Sequence, residues 1–112
     1  MTGWLAGLLE GEGCFSLNRP HGYPYPTVSV TMTDKDVIER VANKWGRKVH
    51  KRKLRPPYKQ TWSTGLTGIS ALTTMLEVFP HMGERRRARI AEVLDTWEHH
   101  VKPKRTLRQR GE

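Results

Sequence analysis

The sequence holds a single cysteine, Cys14. That excludes a disulfide framework and any cysteine-rich zinc site, and a reducing compartment fits. No apolar run approaches the ~20 residues of a membrane span. The first residues lack a basic start and a small-residue cleavage site, so no signal peptide is expected. The expected location is intracellular: cytoplasmic or nucleoid-associated, or organellar in a eukaryote. Acidic residues are scarce, with 11 Asp+Glu against 20 Lys+Arg, a formal net charge of +9 and a pI near 10.2. A small domain this basic usually meets a polyanion, and nucleic acid is the first candidate. There is no internal repeat and no low-complexity linker, and 112 residues imply one domain. Hydrophobic residues make up 36%, four tryptophans among them, which suffices for a core without disulfides.

The local patterns alternate between helix and strand. Thr2 can cap a helix over about residues 3–12. "CFSLNR" alternates, with Phe15 and Leu17 on one face and Cys14, Ser16 and Asn18 on the other. "PHGYPYP" is a loop. "TVSVTMT" sets Val28, Val30 and Met32 against Thr27, Ser29, Thr31 and Thr33, a half-buried strand with a hydroxyl-rich face. Thr33 and Asp36 form a capping-box pattern. Val37, Ile38, Val41 and Trp45 then follow at helical spacing, and Gly46 ends that helix. "RKVHKRKL" suggests a very basic strand broken at Pro56 and Pro57, and "YKQTWSTGL" can return as its hairpin partner. Leu72, Leu76 and Phe79 mark a helix stopped by Pro80. Ile90, Leu94, Trp97 and Val101 mark another from about Glu84. Residues 1–101 thus form the domain, and 102–112 a basic tail expected to be mobile. The order α-β-β-α-β-β-α-α implies an α+β fold. Its two hairpins share one antiparallel sheet, with helices on one face and the other face open to a polyanion.

"WLAGLLEGEGCF", Trp4 to Phe15, is a poor helix on local grounds. Glycine in a helix interior costs roughly 1 kcal/mol against alanine. Glu10 and Glu12 face the negative end of the helix dipole. Gly3, Gly7 and Gly11 recur at every fourth position, which lets another backbone approach closely. A local turn role is the alternative for Gly11 and the preferred one for Gly13. A carboxylate facing phosphates repels DNA unless a cation lies between them. Magnesium takes one or two carboxylates plus phosphate and water. A glycine-packed helix pair brings two such carboxylates together near a two-fold axis, the layout that metal-assisted cleavage of two strands requires.

"LAGLLEGEG", Leu5 to Gly13, resembles the defining motif of the LAGLIDADG homing endonucleases, as do the following "CF" and the order of elements over about residues 2–101. A single motif copy implies a homodimer paired through the glycine face, with a sheet saddle over the DNA major groove. By position, the resemblance makes Glu12 the metal-binding acid and Glu10 a more structural one. Two positions depart from the family pattern. Its frequent glutamine after the second strand falls on Met32 or Thr33, with Asp34 next. Its frequent lysine before the last helix falls on Glu84, within "GERRRAR". Arg85 or Arg86 replaces that charge if the register slips by a residue, although arginine is a poor proton donor.

The base-reading candidates follow from strand parity. Val49 points its own parity inward, so Lys48, His50 and Arg52 face the open side, where Arg and Lys pair well with guanine edges. Phosphate contact without sequence reading is the alternative for each. Lys59, Thr61 and Ser63 alternate with Trp62 and share that side. Asn18, Arg19 and His21 can reach DNA from the first hairpin's tip. Trp45, Trp62 and Trp97 sit on apolar faces and are assigned to the core. The expected function is site-specific cleavage of a long pseudo-palindromic duplex by a homodimer. Mg2+ is the expected ion, or another divalent cation such as Mn2+ or Ca2+, held by Glu12. The alternative is a catalytically weak or inactive DNA- or RNA-binding relative, a regulator or a splicing cofactor bound to intron RNA.

Overall fold

The structure, a computed structural model, describes the backbone of residues 2–18, 24–52 and 55–110, with side chains over 3–18, 24–52 and 55–98. The chain runs α1 (Thr2–Glu12), β1 (Gly13–Asn18), β2 (Tyr25–Met32), α2 (Lys35–Trp45), β3 (His50–Arg52), β4 (Thr61–Thr67), α3 (Ile69–Val78), a 3-10 turn (Phe79–His81) and α4 (Glu84–Arg110). The order of elements is the one the sequence implies. All four strands form one antiparallel sheet in the order β1-β2-β4-β3. No described helix is long and apolar enough to cross a membrane.

One face of the sheet carries the helices. Val28 and Val30 of β2 and Leu66 of β4 project into a core that also holds Leu5, Leu9, Phe15, Ile38, Met75, Val78, Ile90 and Val93. Each fully buried aliphatic side chain contributes about 1.5–3 kcal/mol from the area removed from water. α4 packs on β1, α3 on β2 and β4, and α2 on β4 and β2. Thr64 is buried on the same side, and its hydroxyl donates to the Lys48 carbonyl at 3.0 Å. Trp45 and Trp62 are half-buried and packed against the core, and Trp97 is half-buried.

Several local expectations shift. α2 starts after Asp34, whose side chain makes no cap hydrogen bond, so the Thr33/Asp36 capping box does not form. Asp36 still lies in the first turn, where a carboxylate meets the positive end of the dipole. Gly46 closes α2 in the left-handed region, φ 66°. The apolar face of α3 is Ala71, Leu72, Met75 and Val78, while Leu76 is 60% exposed. β3 is only three residues long. Arg47–Val49 precede it without strand pairing, and Lys53 and Leu54 lie outside the described residues. α4 continues past Pro103 to Arg110, so Val101 is not the end of the helical backbone. The segment beyond Pro103 is rich in Lys, Arg, Leu and Gln, which are good helix formers.

Candidate nucleic-acid interface and carboxylate site

The strands alternate, so each buried residue sends its neighbour to the opposite, helix-free face. The register then stacks these neighbours into rows. Cys14 pairs with Ser29, which pairs with Gly65. Ser16 pairs with Thr27, which pairs with Thr67. Thr31 pairs with Ser63, which pairs with His50, and Arg52 pairs with Thr61. Hydroxyls fill the middle of this face, and an imidazole and a guanidinium mark the β3 edge. The four strands contain no acidic residue.

The sequence-derived candidates distribute unevenly over it. Ser29, Thr31, Ser63, His50 and Arg52 share the open face, all at least partly exposed. Thr27 also points there, but it is only 9% exposed, and its hydroxyl donates to the Tyr25 carbonyl at 3.4 Å. Thr61 is half-buried, and its hydroxyl oxygen is enclosed without a hydrogen-bond partner among the described residues. Thr33, Lys48 and Lys59 are exposed in the connections that flank the strands. Asn18 ends β1 and is exposed, while Arg19 and His21 lie outside the described residues. Lys51 pairs with Trp62 and takes the other parity. Thr67 joins the open face without any signal in the sequence, because nothing there shows how far β4 extends.

The two carboxylates of the opening motif have different surroundings. A main-chain N–H at Gly83, just before α4, donates to Glu10 Oε2 at 3.1 Å. Glu10 thus sits at the positive end of α4, which offsets its poor place at the end of α1. The fit is close: a Cβ at residue 83 would lie 2.6 Å from Glu10 Oε1. In return, Arg86 of α4 donates from Nε to the Glu10 carbonyl at 3.1 Å and from Nη1 to the Gly13 carbonyl at 2.5 Å. A cation at a helix C-terminus satisfies carbonyls left without intrahelical partners. The local oddity of an acid-ended helix is therefore resolved by a reciprocal exchange between α1 and α4, which the sequence does not reveal. Arg89 adds a third tie, Nε to the Phe15 carbonyl at 2.9 Å, and is itself paired with Glu92.

Glu12 is the contrast. It is the last residue of α1, exposed, and no described residue bonds to its carboxylate. Among the described residues no three His, Cys, Asp or Glu side chains group as metal ligands. A single hard carboxylate cannot form a closed protein site. It does suit a magnesium-like ion whose other ligands are phosphate and water, or a carboxylate from a second chain. Of the two arginines considered as the cation toward the phosphate, Arg85 is exposed and Arg86 has the two carbonyl partners above. Met32 is half-buried against the core opposite Trp62, which leaves Thr33 as the exposed residue at the end of β2. Glu84 is exposed in the first turn of α4, a favourable place for an acid.

The glycine stripe is open. Gly3, Gly7 and Gly11 are exposed, and a Cβ at any of them would meet nothing within 4 Å. Gly13 differs, since a Cβ there would lie 2.7 Å from the Leu9 carbonyl oxygen. It opens β1 rather than a turn, and its missing side chain allows a close approach at the helix-to-strand corner.

A model of the LAGLIDADG-like domain family matches residues 1–74. No curated protein matches the chain. Among solved structures, the homing endonuclease I-CvuI on DNA, with magnesium present and the DNA not cleaved, has a TM-score of 0.62 at 20% identity, covering 87% of this chain and 65% of that one. The archaeal intron-encoded homing endonuclease I-Vdi141I complexed with DNA has a TM-score of 0.59 at 18% identity, covering 80% and 62%. The meganuclease I-CpaMI bound to uncleaved DNA has a TM-score of 0.66 at 17% identity, covering 99% and 41%. The chain spans less than two thirds of the length of each of these three, and at such identities the likeness is one of fold.

Proposed function

This chain belongs to the LAGLIDADG-like domain family, and on that footing we propose that it is a site-specific DNA endonuclease. It acts as a homodimer on a long pseudo-palindromic duplex. The observation that carries this reading is the pairing of an acid-free face of hydroxyls and cations with one exposed carboxylate next to the start of β1, Glu12, which has no partner among the described residues. The face suits groove edges and phosphates. An acid without a partner among the described residues has a use in so basic a chain if a cation joins it to phosphate.

Glu12 would hold the ion, magnesium or a similar divalent cation. When bound there, such an ion supplies charge neutralisation at the scissile phosphate and a more acidic water. The chain's own residues do the rest. His50, Arg52, Ser63, Thr31 and Ser29 orient the duplex across the sheet, and Arg85 supplies positive charge near the scissile phosphate. The open face of α1 at Gly3, Gly7 and Gly11 packs against the same face of a second chain, which brings two Glu12 residues together. No covalent protein intermediate is needed.

A second reading has specific support. Met32 turns into the core and Glu84 stands where the resemblance puts a usual lysine, so at those two positions the polar helpers common in the family are missing, with only Thr33 and Arg85 next to them as substitutes. A catalytically weak binder, acting as a regulator or as a splicing cofactor on intron RNA, fits those two residues. Incubation with a DNA library and magnesium, followed by sequencing of fragment ends, separates the two. Defined double-strand breaks support the nuclease, and bound but intact DNA supports the binder.

A further inference from the structure

We propose that Arg86 is a positioning residue for the Glu12 carboxylate, acting through the backbone on either side of it. This rests on the reading that Glu12 is the functional acid. Glu12 makes no bond of its own among the described residues, so its place depends on the main chain that carries it. That main chain is a helix end, where the last carbonyls lack intrahelical partners and the final turn frays most easily. One guanidinium spans the weak point. Nε holds the Glu10 carbonyl at 3.1 Å, and Nη1 holds the Gly13 carbonyl at 2.5 Å, two residues before Glu12 and one after.

The fork is rigid because a guanidinium is planar, with its donors at fixed angles. It is also anchored at its base. Arg86 lies in the first turn of α4, and that helix start is tied to α1 by the Gly83 N–H on Glu10 Oε2. Arg89, one turn on, ties the Phe15 carbonyl at 2.9 Å, so β1 is held at alternate carbonyls just past the acid. Lysine at 86 keeps the charge, but its ammonium is a compact point on a flexible stem with rotatable donors and does not reproduce the planar fork that holds the two carbonyls at fixed angles. A cation bound to phosphate and a backbone clamp therefore give different answers to the same substitution.

The test compares Arg86→Lys, Arg86→Ala and Glu12→Gln with wild type on a validated target. Thermal melting of each variant is followed alongside. For Arg86→Lys, single-turnover cleavage in magnesium should fall by roughly 10–100-fold, the usual effect of losing a group that orients a ligand. Its metal-free affinity for the target should stay within about twofold of wild type, because the charge is retained and the clamp does not touch phosphate. Methylguanidinium added to Arg86→Ala should recover part of the cleavage, and it should do nothing for Glu12→Gln. Hydrogen exchange on the metal-free protein should be faster at the amides of residues 12–14 in Arg86→Lys, with distant core amides unchanged. Wild-type cleavage and slow exchange in Arg86→Lys would overturn the proposal. So would a drop in cleavage matched by an equal drop in metal-free binding, which marks a direct bond to phosphate. If Arg86→Lys fails to fold, the Arg86→Ala rescue decides, and no recovery there counts against the clamp. If wild type and Glu12→Gln cleave equally, the nuclease reading of Glu12 fails. Exchange at residues 12–14 still decides whether Arg86 holds this corner.

Discussion

Glu10→Gln and Glu12→Gln make a matched pair, two residues apart in one helix turn, and the structure assigns them opposite signatures. Glu12 is exposed and bonds to no described residue, so the amide should change stability by less than about 0.5 kcal/mol. It removes the charge that would hold a divalent ion, and cleavage in magnesium should fall by several orders of magnitude. Metal-free DNA binding should hold or improve, because a negative charge near phosphates is gone. Glu10 is the reverse case. Its carboxylate accepts the Gly83 N–H at 3.1 Å at the start of α4. The amide keeps an acceptor but loses the ionic part of that bond and the dipole term, together about 1 kcal/mol. For a chain of this size that lowers the melting temperature by roughly 4 °C. Cleavage by Glu10→Gln, measured well below its melting point, should stay within about tenfold of wild type. Calorimetry and a plasmid-cleavage time course read both numbers. A Glu12→Gln protein that melts several degrees low, or a Glu10→Gln protein that cuts worse than Glu12→Gln at unchanged stability, would refute the division of roles.

Three further outcomes are expected. Gly7→Leu should leave the fold intact, since a Cβ there meets nothing within 4 Å, yet should separate the proposed homodimer in analytical ultracentrifugation; a dimer of unchanged affinity would place the interface elsewhere. The logarithm of target affinity should fall linearly with the logarithm of salt, and His50→Ala with Arg52→Ala should either flatten that slope by roughly 0.9 for each phosphate no longer neutralised or relax base preference; a salt-insensitive affinity would sink the basic-sheet model. Cys14 is exposed on the open face beside Ser29, so cognate duplex should slow its reaction with a charged thiol reagent by at least about tenfold if access is blocked; an unchanged rate would move the DNA to another surface.

Local spacing is enough to give the order of the elements and the two faces of β1 and β2, though not where β3, β4 and α4 end. Alternation in "TVSVTMT" sends Val28 and Val30 to a core and Ser29 and Thr31 outward, and that parity is a property of any strand. The order of elements and the glycine at every fourth place of α1 are equally legible in the sequence. Which side chains meet is a matter for the fold. The four-strand order places β4 between β2 and β3, so that His50 and Ser63 share a row with Thr31. Leu76 matches a helical apolar pattern yet is exposed, because periodicity marks a stripe and not what covers it. The Thr33/Asp36 capping box is a permitted local bond that the chain does not use. The decisive case is the α1–α4 exchange. Glu10 lies 73 residues from Gly83, and Arg86 lies 76 from Glu10. No local rule connects groups that far apart. In the sequence Glu10 and Glu12 are two similar acids at a disfavoured helix end. In the fold one is consumed by the packing of two helix ends and the other is left open at the edge of the sheet.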